Sequence, residues 1–183
     1  MKGKKMNPAR RLLFALCAAI YAFAILLGAS ASARAALSDR DLEAIGKANL
    51  IYIATVRKDG NQSRSAPVWF IMSKDNTVLI QTGATSWKAK RIRRGSPAMI
   101  WIGEKDGPAF MARAAIEGDK DSQQEILQGI PRKYMLARLG IVGPSQKKFD
   151  AGTLVVIRLT EVRDLPNGFA SEPGTPAPAL ESK

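Results

Sequence analysis

The chain contains no histidine and only one cysteine. Without histidine there is no Ser-His-Asp triad, and no imidazole is available to ligate a metal or a haem. The one cysteine, Cys17, lies inside a long apolar run near the N-terminus. The rest of the chain therefore has no thiol, and disulfides are excluded as the bonds that hold its fold together.

Acidic residues are also absent between Asp75 and Glu104. This stretch carries five cations within seven residues, at positions 88, 90, 91, 93 and 94. A cluster of this kind is usually the solvated face of a helix, and that interpretation suits the last three cations. Lys88 differs because it falls in the first turn after Ser86, where unpaired backbone N–H groups attract an anion.

The first 35 residues have the order of a secretory signal. Five cations precede an unbroken apolar run from Leu12 to Leu27, and small residues follow as far as Ala35, after which cleavage is expected. The alternative is a retained anchor, since Leu12 to Ala29 approaches the roughly 20 residues needed to span a bilayer. Both interpretations send the domain outward, as a periplasmic or secreted protein or as a membrane-anchored one.

The leader also accounts for half of the net charge. The whole chain carries +12, but the leader holds six cations and no acid, which leaves +6 for residues 36–183. The high pI is therefore weak support for a nucleic-acid partner, and none is expected. Contact with a membrane is expected only through the N-terminal segment, if that segment is not cleaved.

Residues 36–165 predict one domain that is mainly β with short helices. The predicted strands span 51–57, 64–72, 78–82, 98–104, 109–118 and 153–165. Helices are expected after Ser38, after Ser86 and from Asp121, the last one interrupted near Pro131. Six short, regularly spaced strands favour a closed antiparallel barrel over a parallel sheet. The Pro-rich and Ser-rich tail, residues 166–183, predicts a disordered end.

Polar residues at the end of the third predicted strand can meet at one point. Thr82, Ser86 and Lys88 offer two hydroxyls and an ammonium to the same anion. Arg64 begins the adjacent strand, where its guanidinium is either a bidentate clamp on the same phosphate or a surface charge. This pattern predicts a cofactor that carries a phosphate.

The run Pro67-Val68-Trp69-Phe70 belongs to the second predicted strand. Because Pro67 has no N–H to donate, its side of the strand should face an edge, a bulge or a ligand. Alternation along the strand lets one aromatic pack inside the barrel while the other borders a flat ring. Taken singly, each aromatic is more often a core residue.

Three ordered motifs together resemble the FMN-binding split barrel family, typified by pyridoxamine 5'-phosphate oxidase. They are ATVRKDG (54–60), R-x-x-P-V-W-F (64–70) and Q-T-x-x-x-S-x-K (81–88), and the resemblance extends from Leu37 to Asp164. It implies a six-stranded antiparallel split barrel that forms a homodimer, with FMN in each of two clefts between the subunits. Related barrels use F420 in the same groove.

The resemblance also assigns roles to individual positions. Arg64, Thr82, Ser86 and Lys88 match family contacts to the flavin phosphate. Pro67, Val68 and Trp69 match the strand whose backbone faces the isoalloxazine ring. The C-terminal tryptophan and arginine motif that the oxidase uses for its substrate has no counterpart here, so vitamin B6 oxidation is not expected.

The sequence therefore predicts an exported FMN-binding oxidoreductase of unknown substrate. One alternative is an F420-dependent reductase of the same fold. The other is a barrel without a cofactor that acts as a binding module, with its basic helix meeting anionic partners.

Overall fold

A computed structural model describes residues 37–165 and 168–178. The predicted leader, residues 1–35, lies outside these ranges. None of the helices within them has both the length and the apolar character that crossing a membrane requires. The elements in chain order are α1 (Asp39–Lys47), β1 (Ile51–Thr55), β2 (Ala66–Val68), β3 (Phe70–Met72), β4 (Val78–Gly83), α2 (Trp87–Ile92), β5 (Ala98–Ile102), β6 (Ala109–Glu117), α3 (Lys120–Lys133), α4 (Met135–Arg138), α5 (Gln146–Asp150) and β7 (Leu154–Asp164).

The strands in the described ranges form one antiparallel sheet in the order β2-β1-β5-β6-β7-β4-β3. Its two edge strands, β2 and β3, are consecutive in the chain and separated by Trp69 alone. A sheet whose opposite edges are joined by one residue must curl into a nearly closed barrel. The prediction of a mainly β antiparallel barrel is confirmed.

The number of strands differs from the prediction, since there are seven in the described ranges rather than six. The predicted strand at 64–72 is divided at Trp69, so that β2 pairs with β1 and β3 pairs with β4. Pro67 lies in the middle of β2 and cannot donate to a ladder, which suits an edge strand. The division opens the barrel at this point.

The inner face of the sheet carries the main apolar cluster. Side chains alternate along each strand, so every second residue points inward. Fully or almost fully buried members of this cluster are Ile51, Ile53, Phe70, Ile80, Ile100, Phe110, Ile157 and Leu159. The β1–β5 register places Ile51 opposite Ile102 and Thr55 opposite Ala98.

Helix α3 packs on the outside of the barrel against β3, β4 and β7. Ile126 and Ile130 are fully buried in a second apolar cluster that includes Ile71. A Cβ at Gly129 would lie 2.7 Å from Cδ1 of Ile71, so glycine allows this close approach. The predicted interruption near Pro131 lies at Tyr134, since α3 continues to Lys133, Tyr134 has an extended backbone and α4 begins at Met135.

Residues 168–178 of the tail lie against the barrel. The backbone N–H of Gln62 donates to the Thr175 carbonyl at 2.8 Å, and the Trp101 indole donates to the Phe169 carbonyl at 2.6 Å. The Trp101 and Phe169 rings also stack at 6.1 Å. This differs from the predicted disordered end, because a buried indole needs an acceptor and the tail supplies it.

Candidate functional site

A cleft opens where β3 and β4 stop pairing. Their last pair is Phe70 with Ile80, and the next residues along the two strands are Trp69 and Gln81. Both line a cleft of about 390 Å³ at the division of the barrel. The residues around it are Leu50, Pro67, Val68, Trp69 and Gln81.

Gln81 brings an unpaired polar atom to this cleft. Its side-chain carbonyl oxygen, Oε1, is buried and has no hydrogen-bond partner among the described residues. A buried acceptor without a donor is costly, and such atoms usually meet a water or a ligand. Sequence reasoning left Gln81 and Leu50 out of the site. The one sequence signal for Gln81 was its position as a polar residue directly after the apolar run Val78-Leu79-Ile80 of β4.

Two of the predicted hydroxyls lie together directly after Gln81. Thr82 is 8% exposed, and its Oγ1 lies 3.2 Å from Oγ of Ser86. Ser86 caps α2 as predicted, since its Oγ accepts from the Ala89 N–H at 3.2 Å. The turn between them is fixed by Arg93, whose guanidinium donates to the Ala84 carbonyl at 2.6 Å. These contacts hold the two hydroxyls in place.

Lys88 is a half-buried cation in the first turn of α2. Burial lowers the pKa of its ammonium below the ordinary value of 10.5. No carboxylate in the described residues forms an ion pair with it. A partly desolvated charge without a counter-ion is unfavourable, so an anion at this position would be stabilised.

Arg64 is exposed on the segment that precedes β2. Within the described ranges, no hydrogen bond or ion pair joins its side chain to Thr82, Ser86 or Lys88. The structure thus brings Thr82 and Ser86 together after β4 and places Pro67, Val68 and Trp69 in the lining of the cleft, which does not include Thr82, Ser86 or Lys88. The convergence of Arg64 and Lys88 on one phosphate stays a prediction.

Tyr134, at the end of α3, holds one wall of the cleft. Its ring stacks on Trp69 with centroids 4.6 Å apart and planes 12° apart. Its hydroxyl donates to the Phe70 carbonyl and accepts from the Phe70 N–H, both at 3.0 Å. Burial raises the pKa of this hydroxyl, which remains a donor at neutral pH. Sequence reasoning missed Tyr134, since nothing local connects it to a strand 64 residues earlier.

Lys133 lies beside this wall, with Nζ 3.3 Å from the centroid of the Phe70 ring. Burial lowers the pKa of Lys133 to about 8. The face of the Phe70 ring attracts the ammonium and favours its charged form.

The remaining cations of the basic segment have different surroundings. Lys90 and Arg91 lie over the exposed Trp87 ring, at 4.9 and 5.8 Å. Arg91 also donates to Thr55 Oγ1 at 3.3 Å. Of the three cations interpreted as a solvated face, Arg91 and Arg93 therefore stabilise neighbouring structure. Arg94 is exposed, and its side chain makes no hydrogen bond or ion pair within the described residues.

A larger cavity of about 910 Å³ lies between the C-terminal end of α2, β6 and the tail. It contains none of the predicted site residues. Its two arginines already have partners, since Arg93 bonds to Ala84 and Arg113 pairs with Glu161 at 2.7 Å. The smaller cleft at the division of the barrel is the better candidate because it is lined by the unpaired Gln81 oxygen and by the predicted residues Pro67, Val68 and Trp69.

Solved structures with the same fold are found in several bacteria. A NimC/NimA family protein from Clostridium acetobutylicum is 18% identical, covers 69% of this chain and 90% of its own, and has a TM-score of 0.50. A conserved hypothetical protein from Mycobacterium tuberculosis is 16% identical, with coverages of 71% and 89% and a TM-score of 0.50. A pyridoxamine 5'-phosphate oxidase-related, FMN-binding protein from Nostoc punctiforme is 18% identical, with coverages of 67% and 80% and a TM-score of 0.46.

The Clostridium acetobutylicum and Mycobacterium tuberculosis structures share the fold of this antiparallel barrel. The model of the pyridoxamine 5'-phosphate oxidase family matches residues 37–165, and the chain belongs to that family. Among curated proteins, no significant match is found.

Proposed function

We propose that this chain binds FMN in the cleft at the division of the barrel and uses it for oxidation and reduction. The observation that carries the proposal is Lys88, a half-buried ammonium without an anionic partner in the described ranges, one turn from the paired hydroxyls of Thr82 and Ser86. Membership of the pyridoxamine 5'-phosphate oxidase family supports a flavin that carries a phosphate.

The residues present fit such a group. Thr82, Ser86 and Lys88 would hold the phosphate, because two hydroxyls and an ammonium form charge-assisted hydrogen bonds with its oxygens. Trp69 would border the ring system, and Gln81 Oε1, an unpaired acceptor, would take a hydrogen bond from a ring N–H. The cleft of about 390 Å³ is at the small end of the roughly 300–1,000 Å³ usual for ligand sites, which suits a site completed by a second subunit.

A bound flavin supplies the electron transfer, while the chain supplies binding, orientation and exclusion of water. Trp69, stacked on Tyr134, is a rigid apolar wall that would keep water from one side of the cleft. We assign no residue as a proton donor or acceptor. The missing C-terminal motif argues against pyridoxamine phosphate as the substrate.

Two other aspects of the proposal come from the sequence. The charged start, apolar run and small residues of positions 1–35 support export to the periplasm or the medium, or retention as an anchor facing outward. Family resemblance supports a symmetric homodimer.

F420 in the same cleft is the second candidate, since it also carries a phosphate that Lys88 would neutralise. A cofactor-free binding module is the third. Exposed Trp87 and Lys90 on α2 and Arg94 just after it favour this candidate, because they present an aromatic and cations to a partner.

Equilibrium titration of the purified full chain with FMN, riboflavin and F420 tests the proposal. FMN should bind, and riboflavin, which lacks the phosphate, should bind roughly 10 to 150 fold more weakly, since a charge-assisted hydrogen bond contributes about 1.5–3 kcal/mol. Tighter binding of F420 than of FMN would favour the second candidate. Folded protein that binds neither cofactor would contradict the proposal and favour the binding module.

A further inference from the structure

One short stretch of the surface concentrates exposed apolar side chains. Six large hydrophobic residues are exposed in the described ranges, and five of them lie between positions 135 and 142. These five, called here the apolar patch, are Met135 (68% exposed), Leu136 (46%), Leu139 (64%), Ile141 (65%) and Val142 (50%). Scattered exposed hydrophobics are ordinary, whereas a contiguous group usually marks an interaction site.

The backbone under the apolar patch is ordered by specific hydrogen bonds. Helix α4 ends in a Schellman motif, in which the Gly140 N–H donates to the Ala137 carbonyl and the Ile141 N–H donates to the Leu136 carbonyl. Gly140 has φ of +70°, which glycine adopts without strain. The Gly143 backbone then lies against Ala137, because a Cβ at 143 would be 3.3 Å from the Ala137 Cβ. The fold itself therefore holds these side chains in solvent.

The segment that carries the apolar patch also carries cations and no acid. Between Glu125 and Asp150 the sequence has no aspartate or glutamate. The same stretch has four exposed cations beside the patch, Arg132, Arg138, Lys147 and Lys148, while the Lys133 ammonium lies over the Phe70 ring. None of them forms an ion pair with a carboxylate in the described part of the chain.

Two of these cations are fixed close to the patch. Arg138 donates to the Pro131 and Arg132 carbonyls at 3.2 and 2.7 Å, and Lys148 donates to the Gly143 carbonyl at 3.0 Å. The surface thus combines ordered apolar side chains with a fixed positive border.

We propose that the apolar patch and its cationic border dock on the surface of an anionic lipid bilayer. Apolar side chains inserted at the boundary between headgroups and acyl chains, together with Lys and Arg beside anionic headgroups, are the two contributions that hold peripheral proteins on membranes. A second copy of the chain is a poor occupant, since two such faces would bring eight exposed cations of like charge together. The proposal does not depend on flavin binding.

This surface adds a membrane contact that the sequence does not predict. Membrane contact was expected only through the N-terminal segment, whereas residues 132–148 belong to the barrel domain. Export or anchoring of the chain would place the domain near a bilayer, but the docking follows from the surface alone.

An environment-sensitive label at the apolar patch tests the proposal in the full chain. In a Cys17→Ser background, Ile141→Cys carries the fluorophore NBD, and Lys58→Cys, in the turn after β1, is the matched exposed control. Each protein is mixed with vesicles of phosphatidylcholine alone or of an equal mixture with phosphatidylglycerol. Emission of the label at 141 should shift to shorter wavelength only with the anionic vesicles, and the label at 58 should not shift. This readout is informative even if an anchor holds the chain on the vesicle, because it reports insertion of the patch.

Charge variants then separate local contact from net charge. Arg132→Gln with Lys147→Gln should raise the lipid concentration for a half-maximal shift by about 25 fold, at about fivefold for each cation. Lys90→Gln with Arg94→Gln removes the same number of charges in and just after α2. It should leave the lipid concentration for a half-maximal shift unchanged. Leu139→Asp should abolish the shift. Circular dichroism should confirm that all variants are folded.

Three results would overturn the proposal. The first is no shift at 141 with either vesicle. The second is an equal shift with vesicles of phosphatidylcholine alone, or an equal rise in the half-maximal lipid concentration for the Lys90→Gln, Arg94→Gln variant. Either result would mean that the cations beside the patch play no specific part. The third is a shift without vesicles that grows with protein concentration, which would assign the patch to self-association.

Discussion

At the scale of the residue, Lys88 decides whether the start of α2 is an anion site. Burial penalises its ammonium, and within the described ranges no carboxylate compensates for that penalty. A phosphate beside it would do so, because attraction between opposite charges grows as water is removed. Because this attraction requires the charged ammonium, FMN affinity should depend on pH.

FMN affinity should fall as the pH rises through the lowered pKa of Lys88. A neutral amine cannot pair with the phosphate, and burial makes that amine form at a lower pH than the ordinary 10.5. Titrations at several pH values above neutral would measure the fall. Lys88→Arg should remove it, since a guanidinium stays charged. Riboflavin affinity should not change, and a parallel fall for riboflavin would assign the effect to the protein as a whole.

At the scale of the element, one tyrosine connects α3 to the edge of the sheet. β3 is an edge strand, and the Phe70 N–H and carbonyl that do not face β4 are satisfied by the Tyr134 hydroxyl. The hydroxyl takes the place that a neighbouring strand would have in a closed barrel. It allows the barrel to be divided without leaving buried backbone groups unpaired.

Tyr134→Phe should therefore lower the free energy of unfolding by about 1–3 kcal/mol, because both Phe70 groups lose their partner. Denaturant unfolding monitored by circular dichroism would measure it. Tyr52→Phe is the matched control, since its hydroxyl makes no hydrogen bond within the described residues, and its effect should stay within about 0.5 kcal/mol. Equal effects of the two substitutions would contradict the bridging role.

The elements that the sequence predicts well are those with local signals. The turn 58–61 and the caps Ser38 and Ser86 mark boundaries that the structure confirms. The division at Trp69 was not predictable, because Pro67 indicates only that one side of its strand is unpaired. Contacts that depend on distant residues, such as Gln62 with Thr175, leave no local pattern.

Likewise, only those parts of the candidate site that have local signals could be predicted from the sequence. Thr82 and Ser86 are four residues apart, so a strand end and a helix cap are enough to predict that they meet. The unpaired oxygen of Gln81 and the stacking of Trp69 on Tyr134 arise only when the barrel and α3 are assembled.

At the scale of the whole molecule, the proposed homodimer would complete a cleft that is small for a flavin. Light scattering on the purified full chain should give twice the chain mass of 19.8 kDa. The physical reason is that a site shared by two subunits requires a stable symmetric pair. A monomer that binds FMN with full affinity would contradict the shared site.

The central claim is that Lys88 holds the phosphate of a flavin in this cleft. Fluorescence titration of FMN and riboflavin into wild type, Lys88→Ala and Arg94→Ala tests it most directly. Lys88→Ala should weaken FMN binding by roughly 10 to 150 fold and leave riboflavin binding almost unchanged, since it removes a charge-assisted hydrogen bond to the phosphate. Arg94→Ala, an exposed cation six residues away, should change neither. Equal loss of FMN and riboflavin binding in Lys88→Ala, or unchanged FMN binding, would contradict the claim.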